Sequence, residues 1–103
     1  MSLSTHVLDT ARGEPAVGMA VRLQRLESDR WAPVADGVTD GEGRLRDWVP
    51  GSQWGAGRYR LLFETGGEFF PEVVVVFEVR EPSRPYHVPL LLSPYGYTTY
   101  RGS

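Results

Sequence analysis

The chain has 103 residues, a net charge of −2 and no cysteine, lysine, asparagine or isoleucine. This length suits one domain with one core, so we expect a single domain over residues 1–103. Without cysteine the chain has no thiol or disulfide chemistry, and without lysine it has no Schiff-base or P-loop chemistry. The slight acidity and the lack of long apolar stretches argue against nucleic-acid and membrane partners.

Short stretches of alternating apolar and polar residues recur along the chain and are separated by turns rich in Gly and Pro. They predict seven or eight strands, at about residues 3–9, 19–26, 31–38, 46–49, 58–64, 72–81, 86–92 and 95–99. No segment has a convincing helical period. The pattern predicts an all-β fold, a two-sheet antiparallel β-sandwich with little or no helix.

Two of these strands carry further information about their neighbours. The strand at residues 72–81 has Val on both faces, which indicates cover on both sides by a second layer or by another subunit. Pro89 lies inside the strand at residues 86–92 and cannot donate to a ladder. That strand is therefore expected at a sheet edge, or with the ring nitrogen of Pro89 pointing outward.

His6 and His87 are the two histidines of the chain, and each could move protons near neutral pH. Taken alone, each is better interpreted as a surface or hydrogen-bonded strand residue. Two histidines cannot complete a typical three-ligand zinc site without a carboxylate, and no HExxH spacing occurs, so we predict no metal.

Arg44 follows the glycine turn at residues 39–43. The simpler interpretation is a solvated residue beside a sandwich turn, and spacing alone favours it. The functional alternative is a permanently charged fork that binds a carbonyl or an oxyanion.

The C-terminal residues Tyr100, Arg101, Gly102 and Ser103 directly follow the last predicted strand. A tail held on a strand would bring a guanidinium, a hydroxyl and a carboxylate to one place. The nearby tyrosines at positions 95, 97 and 100 favour an interface. Ser103 has no adjacent base and no GxSxG motif, so a triad nucleophile is not indicated.

Two segments resemble the signatures of the transthyretin-like family. The first is LSTHVLD at residues 3–9, and the second is YHVPLLLSPYGYTTYRGS at residues 86–103. The Tyr-Arg-Gly-Ser ending resembles the 5-hydroxyisourate hydrolase branch rather than the thyroid-hormone carriers. A given tetrapeptide arises by chance on the order of once in 10⁵ positions, so this ending is specific.

The resemblance implies a homotetramer, a dimer of dimers around a central channel. It also implies hydrolysis of 5-hydroxyisourate to 2-oxo-4-hydroxy-4-carboxy-5-ureidoimidazoline in urate degradation, with no cofactor or metal. By motif, the catalytic residues are His6, Arg44, His87 and Ser103. Tyr100 and Thr98 join His6, Arg44 and Ser103 as substrate-binding residues.

Within this scheme the two imidazoles supply the base and the acid, and Arg44 supplies the positive group. The sequence does not decide between the imidazoles, and we favour His6 as the base. The family's short helix after residue 66 has no counterpart in the sequence, so we expect a tight β-turn there, with Phe69 and Phe70 packed in the place of the helix.

Two functions of other classes stay open: a non-catalytic carrier of a small planar ligand, and an accessory sandwich module. We expect that residues 1–6 are not a secretory signal, and on that ground we expect a cytoplasmic protein. The bias against Lys, Asn and Ile suggests a GC-rich genome, so we also expect a bacterial source.

Overall fold

A computed structural model of the chain describes residues 2–103 and contains, within that range, nine strands and one 3-10 helix at Gly51–Gln53. The strands are β1 (Leu3–Asp9), β2 (Glu14–Pro15), β3 (Ala20–Glu27), β4 (Arg30–Val38), β5 (Arg44–Leu45), β6 (Gly57–Phe63), β7 (Val73–Val79), β8 (Tyr86–Ser93) and β9 (Gly96–Thr99). No helix in the described part of the chain is long and apolar enough to cross a membrane.

The strands form two sheets, which confirms the predicted sandwich. One sheet has the order β2-β1-β8-β9, with β5 also paired to β1, and the other has the order β4-β3-β6-β7. All pairs are antiparallel except β1–β8, which is parallel. The sequence prediction of antiparallel strands is therefore wrong for that pair.

The core lies between the inward faces of the two sheets and follows the predicted alternation. Tyr59, Leu61 and Phe63 on β6 are fully buried, as are Val21 and Leu23 on β3. Leu3, Thr5 and Val7 form the inward face of β1, where the hydroxyl of Thr5 donates to the carbonyl of Val88. Since side chains alternate along a strand, the residues between them point outward from the sandwich.

Strands β7 and β8 differ from the simplest expectation. β7 is an edge strand, and Val74 and Val76 on its outer face are exposed in the single chain. β8 lies between β1 and β9, so it is not an edge strand. The carbonyl of Pro89 accepts from the Thr99 hydroxyl. The N and C=O of one strand residue point to the same side, so the missing N–H of Pro89 faces the end of β9 and not β1.

The prediction of a strand at residues 46–49 is wrong, because the chain turns away from the sheet there. Asp47 has a left-handed backbone (φ 55°), which interrupts an extended segment. The Trp48 indole N–H donates to the carbonyl of Leu3, so this segment is held by a side chain instead of a ladder. The two-residue strands β2 and β5 were not predicted, and both pair with the outer edge of β1.

Residues 64–72 connect β6 to β7 as an irregular loop and not as the expected tight β-turn. The Gly66 N–H donates to the carbonyl of Pro71 at 2.9 Å and closes the loop. Phe70 packs edge-on against Tyr97, and Phe69 packs against Phe70 and Tyr95. The aromatic pair therefore fastens the loop to the end of β9, while Phe69 remains largely exposed.

Candidate active site

The strand register brings the two histidines and Arg44 to one face. His6 on β1 is directly opposite Arg44 on β5 and opposite Pro89 on β8. Ser4, two residues before His6, is opposite His87. Directly paired residues and residues two apart share a face, and this face is the outer one because Leu3, Thr5 and Val7 point into the core.

The turn before β5 positions Arg44. One carboxylate oxygen of Asp40 accepts from the backbone N–H groups of Glu42 and Arg44, at 2.8 and 2.9 Å. These hydrogen bonds, that from Arg44 first, hold the pKa of the Asp40 carboxyl below its usual value of 3.8. At neutral pH the turn is therefore built around an ionised carboxylate.

Gly43 lets this turn lie directly against β1. Its φ is 75°, a left-handed conformation that favours glycine, and its carbonyl accepts from the Val7 N–H at 2.8 Å. A Cβ at this position would lie closer to the carbonyl oxygen of Val7 than real Cβ atoms approach other atoms. The glycine thus sets the spacing between the Arg44 turn and the His6 strand.

His6 is held by the same turn. Its Nε2 lies 2.9 Å from the carbonyl oxygen of Glu42. A carbonyl can only accept, so Nε2 carries the proton and the neutral ring keeps its lone pair on Nδ1.

The Glu42 carboxylate lies 3.9 Å from Arg44 Nε and 3.5 Å from Arg46, but it is largely exposed. Exposed ion pairs are weak, so Arg44 remains available to a ligand.

His87 is half-buried and lies beside Ser4. The Ser4 hydroxyl oxygen is 2.8 Å from His87 Nδ1. Burial, followed by the positive charges of His6 and Arg44, lowers the pKa of His87 from its usual value of 6.5, and the Ser4 backbone acts in the opposite direction. His6, Arg44 and His87 are therefore close enough to interact electrostatically, and His87 is neutral at pH 7.

The C-terminal tail runs back along β8 and passes over His87. The Gly102 N–H donates to the His87 carbonyl at 2.8 Å, in an isolated antiparallel bridge. Ser103, the next residue, is exposed, and its carboxylate forms no ion pair within residues 2–103. Because Ser103 follows Gly102 directly, it lies near His87, and no ion pair among residues 2–103 fixes its carboxylate.

The two remaining residues of the predicted site are placed by the register between β8 and the chain that follows. Thr98 on β9 is directly opposite Leu91 on β8 and shares the outer face with His87. The same register pairs Leu90 with Thr99 and His87 with Gly102, which sets Tyr100 opposite Pro89 on the outer face. Arg101 lies on the inward side, where its guanidinium is 4.6 Å from the centre of the buried Tyr86 ring. Tyr100 therefore shares the histidine face, and its side chain is exposed.

The outer face itself is open in the single chain. A cavity of about 310 Å³ lies at another place, near Arg12, Phe69 and Tyr95, and none of the predicted site residues lines it. No group of three or more His, Cys, Asp or Glu in the described residues is arranged to hold a metal. What this face offers chemically is two imidazoles and a guanidinium, which suit proton transfer beside a developing negative charge.

Sequence reasoning did not single out three groups that position this site: the Ser4 hydroxyl, the Glu42 carbonyl and the Asp40 carboxylate. Ser4 could have been found from its place two residues before His6 on the same strand face. Asp40 could have been found from its Asp-Gly turn, in which Asp side chains bind the following backbone. The role of the Glu42 carbonyl depends on the tertiary fold and has no sequence signal.

The fold and this face define a transthyretin-like β-sandwich with a polar outer sheet. The model of the HIUase/Transthyretin family matches residues 3–102, so the chain belongs to that family. The chain is 46% identical over 111 residues to the 5-hydroxyisourate hydrolase of Mus musculus, covering 98% of this chain and 94% of that protein. It is 42% identical over 109 residues to the 5-hydroxyisourate hydrolase of Salmonella dublin, covering 98% of this chain and 80% of that protein.

Solved structures agree with this placement. The structure of Klebsiella pneumoniae 5-hydroxyisourate hydrolase matches with a TM-score of 0.83 and 35% identity, covering 100% of each chain. Sea bream transthyretin in complex with thyroxine matches with a TM-score of 0.93 and 32% identity, covering 99% of this chain and 95% of that one. The predicted family resemblance is thus confirmed, and both branches of the family share this fold.

Proposed function

We propose that the chain hydrolyses 5-hydroxyisourate to 2-oxo-4-hydroxy-4-carboxy-5-ureidoimidazoline. The observation that carries this proposal is that His6, Arg44 and His87 lie on the same outer face of one sheet, with the C-terminal tail hydrogen-bonded to the His87 backbone. Curated relatives over 40% identical and almost full-length are named as hydrolases of this compound.

The reaction asks for three chemical roles. A base takes a proton from water, and the water oxygen attacks the carbonyl carbon of the ring amide. A positive group stabilises the negative charge that develops on the carbonyl oxygen. An acid then protonates the departing nitrogen as the C–N bond breaks, which leaves an opened ring with a carboxylate.

His87 is the better candidate for the base. Its lowered pKa keeps the imidazole neutral at pH 7, and Ser4 binds Nδ1, which leaves Nε2 for water. His6, which donates from Nε2 to the Glu42 carbonyl, then acts as the acid through Nδ1 once it is protonated. This assignment reverses the one that we favoured from sequence.

Arg44 provides the permanent positive charge opposite His6 and binds the developing oxyanion. Thr98 and Ser103 contribute to substrate binding, since both are exposed at or next to the face of His87. Tyr100 belongs to the same proposed wall, since the register of the tail with β8 sets it opposite Pro89 on the outer face and its side chain is exposed.

A homotetramer, a dimer of dimers, is the proposed assembly. The open outer face needs a second surface to exclude water from the reaction. β7 and β9 are both sheet edges, and exposed apolar residues lie on or beside them, among them Val76, Tyr95 and Tyr97. Unpaired edges of this kind pair readily with another chain. A sizing measurement that gives a monomer at micromolar concentration would count against a site completed between subunits.

The activity is tested directly with the unstable substrate. 5-Hydroxyisourate is generated from urate with uricase, the protein is added, and the decay of ultraviolet absorbance is followed. Acceleration over the spontaneous decay supports the proposal, and decay at the spontaneous rate rejects it. A location in the bacterial cytoplasm stays a prediction.

A carrier of a small planar ligand is the alternative function, and the close likeness to sea bream transthyretin with bound thyroxine favours it. The two functions respond differently to the same change. Arg44→Ala would lower kcat/KM for hydrolysis about 10²- to 10³-fold, whereas a carrier that uses the apolar parts of its surface would keep its ligand affinity. Thyroxine binding by the wild-type protein without hydrolysis would favour the carrier.

A further inference from the structure

The His87 ring is contacted from two sides by groups that have no part in the proposed chemistry. One is the hydroxyl of Ser4 on the neighbouring strand β1, and the other is the backbone of Gly102 in the C-terminal tail. Both contacts join segments that are far apart in sequence. The orientation of His87 is therefore set by two separate elements and not by β8 alone.

The contact with Ser4 determines which ring nitrogen is free. Ser4 and His87 are paired residues in the parallel ladder, so the short serine side chain reaches Nδ1 at 2.8 Å. The Ser4 backbone also favours the protonated ring. A hydroxyl can donate or accept, and a hydroxyl that accepts from Nδ1–H leaves the lone pair of the neutral ring on Nε2.

The contact with Gly102 restricts the rotation of the ring. The Gly102 N–H donates to the His87 carbonyl, which brings the tail against β8. A Cβ on residue 102 would overlap His87 Cδ2 and would also approach Cγ at 3.2 Å and Cβ at 3.4 Å. Glycine is the residue that lets one backbone approach another group this closely. The approach explains on physical grounds why the residue before Ser103 is a glycine.

We propose that Ser4 and Gly102 are positioning residues that together hold His87 in one tautomer and one orientation. The Ser4 hydroxyl accepts a hydrogen bond from Nδ1–H, and the Gly102 backbone lies against the ring, so that the lone pair of Nε2 points to the outer face. The catalytic meaning of this arrangement rests on the proposed function. The tautomer and the orientation do not, and they can be measured without substrate.

The first test is a nitrogen-15 NMR measurement of the imidazoles at pH 8, where His87 is neutral. The chain has only two histidines, and His87→Gln assigns the signals. We expect a protonated Nδ1 and an unprotonated Nε2 in the wild type. Ser4→Ala should transfer part of the proton to Nε2, and Ser4→Thr, which keeps a hydroxyl, should restore the wild-type pattern. A wild-type proton on Nε2, or an unchanged ring in Ser4→Ala, would overturn the proposal.

The second test separates a positioning role from a structural one by kinetics. Losing one hydrogen bond to the base should lower kcat about three- to tenfold in Ser4→Ala, with KM within about twofold. Gly102→Ala should lower kcat on the order of 10- to 100-fold, because the ring is displaced. Ser52→Ala, in the 3-10 helix away from this face, is the matched control and should behave as the wild type.

The two tests keep the failure of this inference apart from the failure of the proposed function. A wild-type protein that does not hydrolyse 5-hydroxyisourate but shows the Nδ1 tautomer would reject the function and retain the positioning of His87. If the wild-type protein is active and both Ser4→Ala and Gly102→Ala keep the wild-type kcat, the positioning role is rejected.

Discussion

His6 and Arg44 are directly opposite each other on β1 and β5, a ladder in which β5 contributes only two residues. The pairing is short because β5 emerges from a turn that Asp40 and Gly43 hold against β1. A permanent cation is thereby fixed beside an imidazole by backbone geometry and not by side-chain ion pairs.

The charge of Arg44 is expected to act on the transition state. Arg44→Ala should lower kcat/KM about 10²- to 10³-fold, the usual cost of removing an oxyanion-binding group. Arg44→Lys should recover little of this, since an ammonium lacks the planar fork of donors. Arg58→Ala, on the outer face of the other sheet, should keep wild-type kinetics. Equal kcat/KM values for Arg44→Ala and Arg58→Ala would contradict the role of Arg44.

Gly43 is expected to contribute more to stability through its close approach to β1 than through its left-handed backbone. Gly43 and Gly18 both have φ near 75°, but a Cβ at Gly18 would meet no atom within 4 Å. Gly18→Ala should therefore cost only the backbone strain, about 1–2 kcal/mol of unfolding free energy. Gly43→Ala should cost about 1–3 kcal/mol more, because the turn must move away from Val7. Urea denaturation compares the two, and equal costs would show that the turn does not rest on β1 as described.

The Asp40 carboxylate is expected to support activity by holding the turn. Asp40→Ala leaves the N–H groups of Glu42 and Arg44 without this acceptor, and kcat/KM should fall several-fold. Asp40→Asn keeps a side-chain oxygen that can accept and should fall less. The pKa of Asp40 is lowered on folding, so its contribution to stability is present above about pH 3.8 and is lost as pH falls below that value. An Asp40→Asn variant less active than Asp40→Ala would contradict this explanation.

The pH dependence of activity should reflect His87. A base must be unprotonated, and burial lowers the pKa of His87 below 6.5, so the acid limb of kcat/KM should have its midpoint below pH 6.5. Stability should follow the same group. The unfolded chain binds the proton at a higher pH than the folded one, so the free energy of unfolding should decrease as pH falls from about 6.5 toward the lower folded value. A midpoint above 6.5 would contradict the assignment of His87 as the base.

Much of the fold could be predicted from sequence because alternation reports burial directly. The pattern Tyr59, Leu61, Phe63 gave the inward face of β6, and all three side chains are fully buried. The elements that were missed are those whose pairing depends on side chains or turns. β5 follows from the Asp40 turn, and the chain at Asp47 leaves the sheet because of a left-handed residue that no alternation reveals.

The candidate site was predicted unevenly for similar reasons. His6, Arg44 and His87 could be named because imidazole and guanidinium chemistry is rare in this chain and because a family resemblance added weight to each. The parallel pairing of β1 with β8, which places Ser4 against His87, could not be predicted from residue patterns. The same limit applies to the path of the tail, which brings Gly102 over His87 and Tyr100 opposite Pro89.

The most direct test of the central claim is the rate of 5-hydroxyisourate decay with the wild-type protein, His6→Ala, His87→Ala and the double variant. The wild type should accelerate the decay, and each single variant should lose about 10²- to 10⁴-fold in kcat. The double variant should be little worse than either single variant, because the two imidazoles serve one proton-transfer cycle. A wild-type rate equal to the spontaneous rate, or single variants as fast as the wild type, would contradict catalysis at this face.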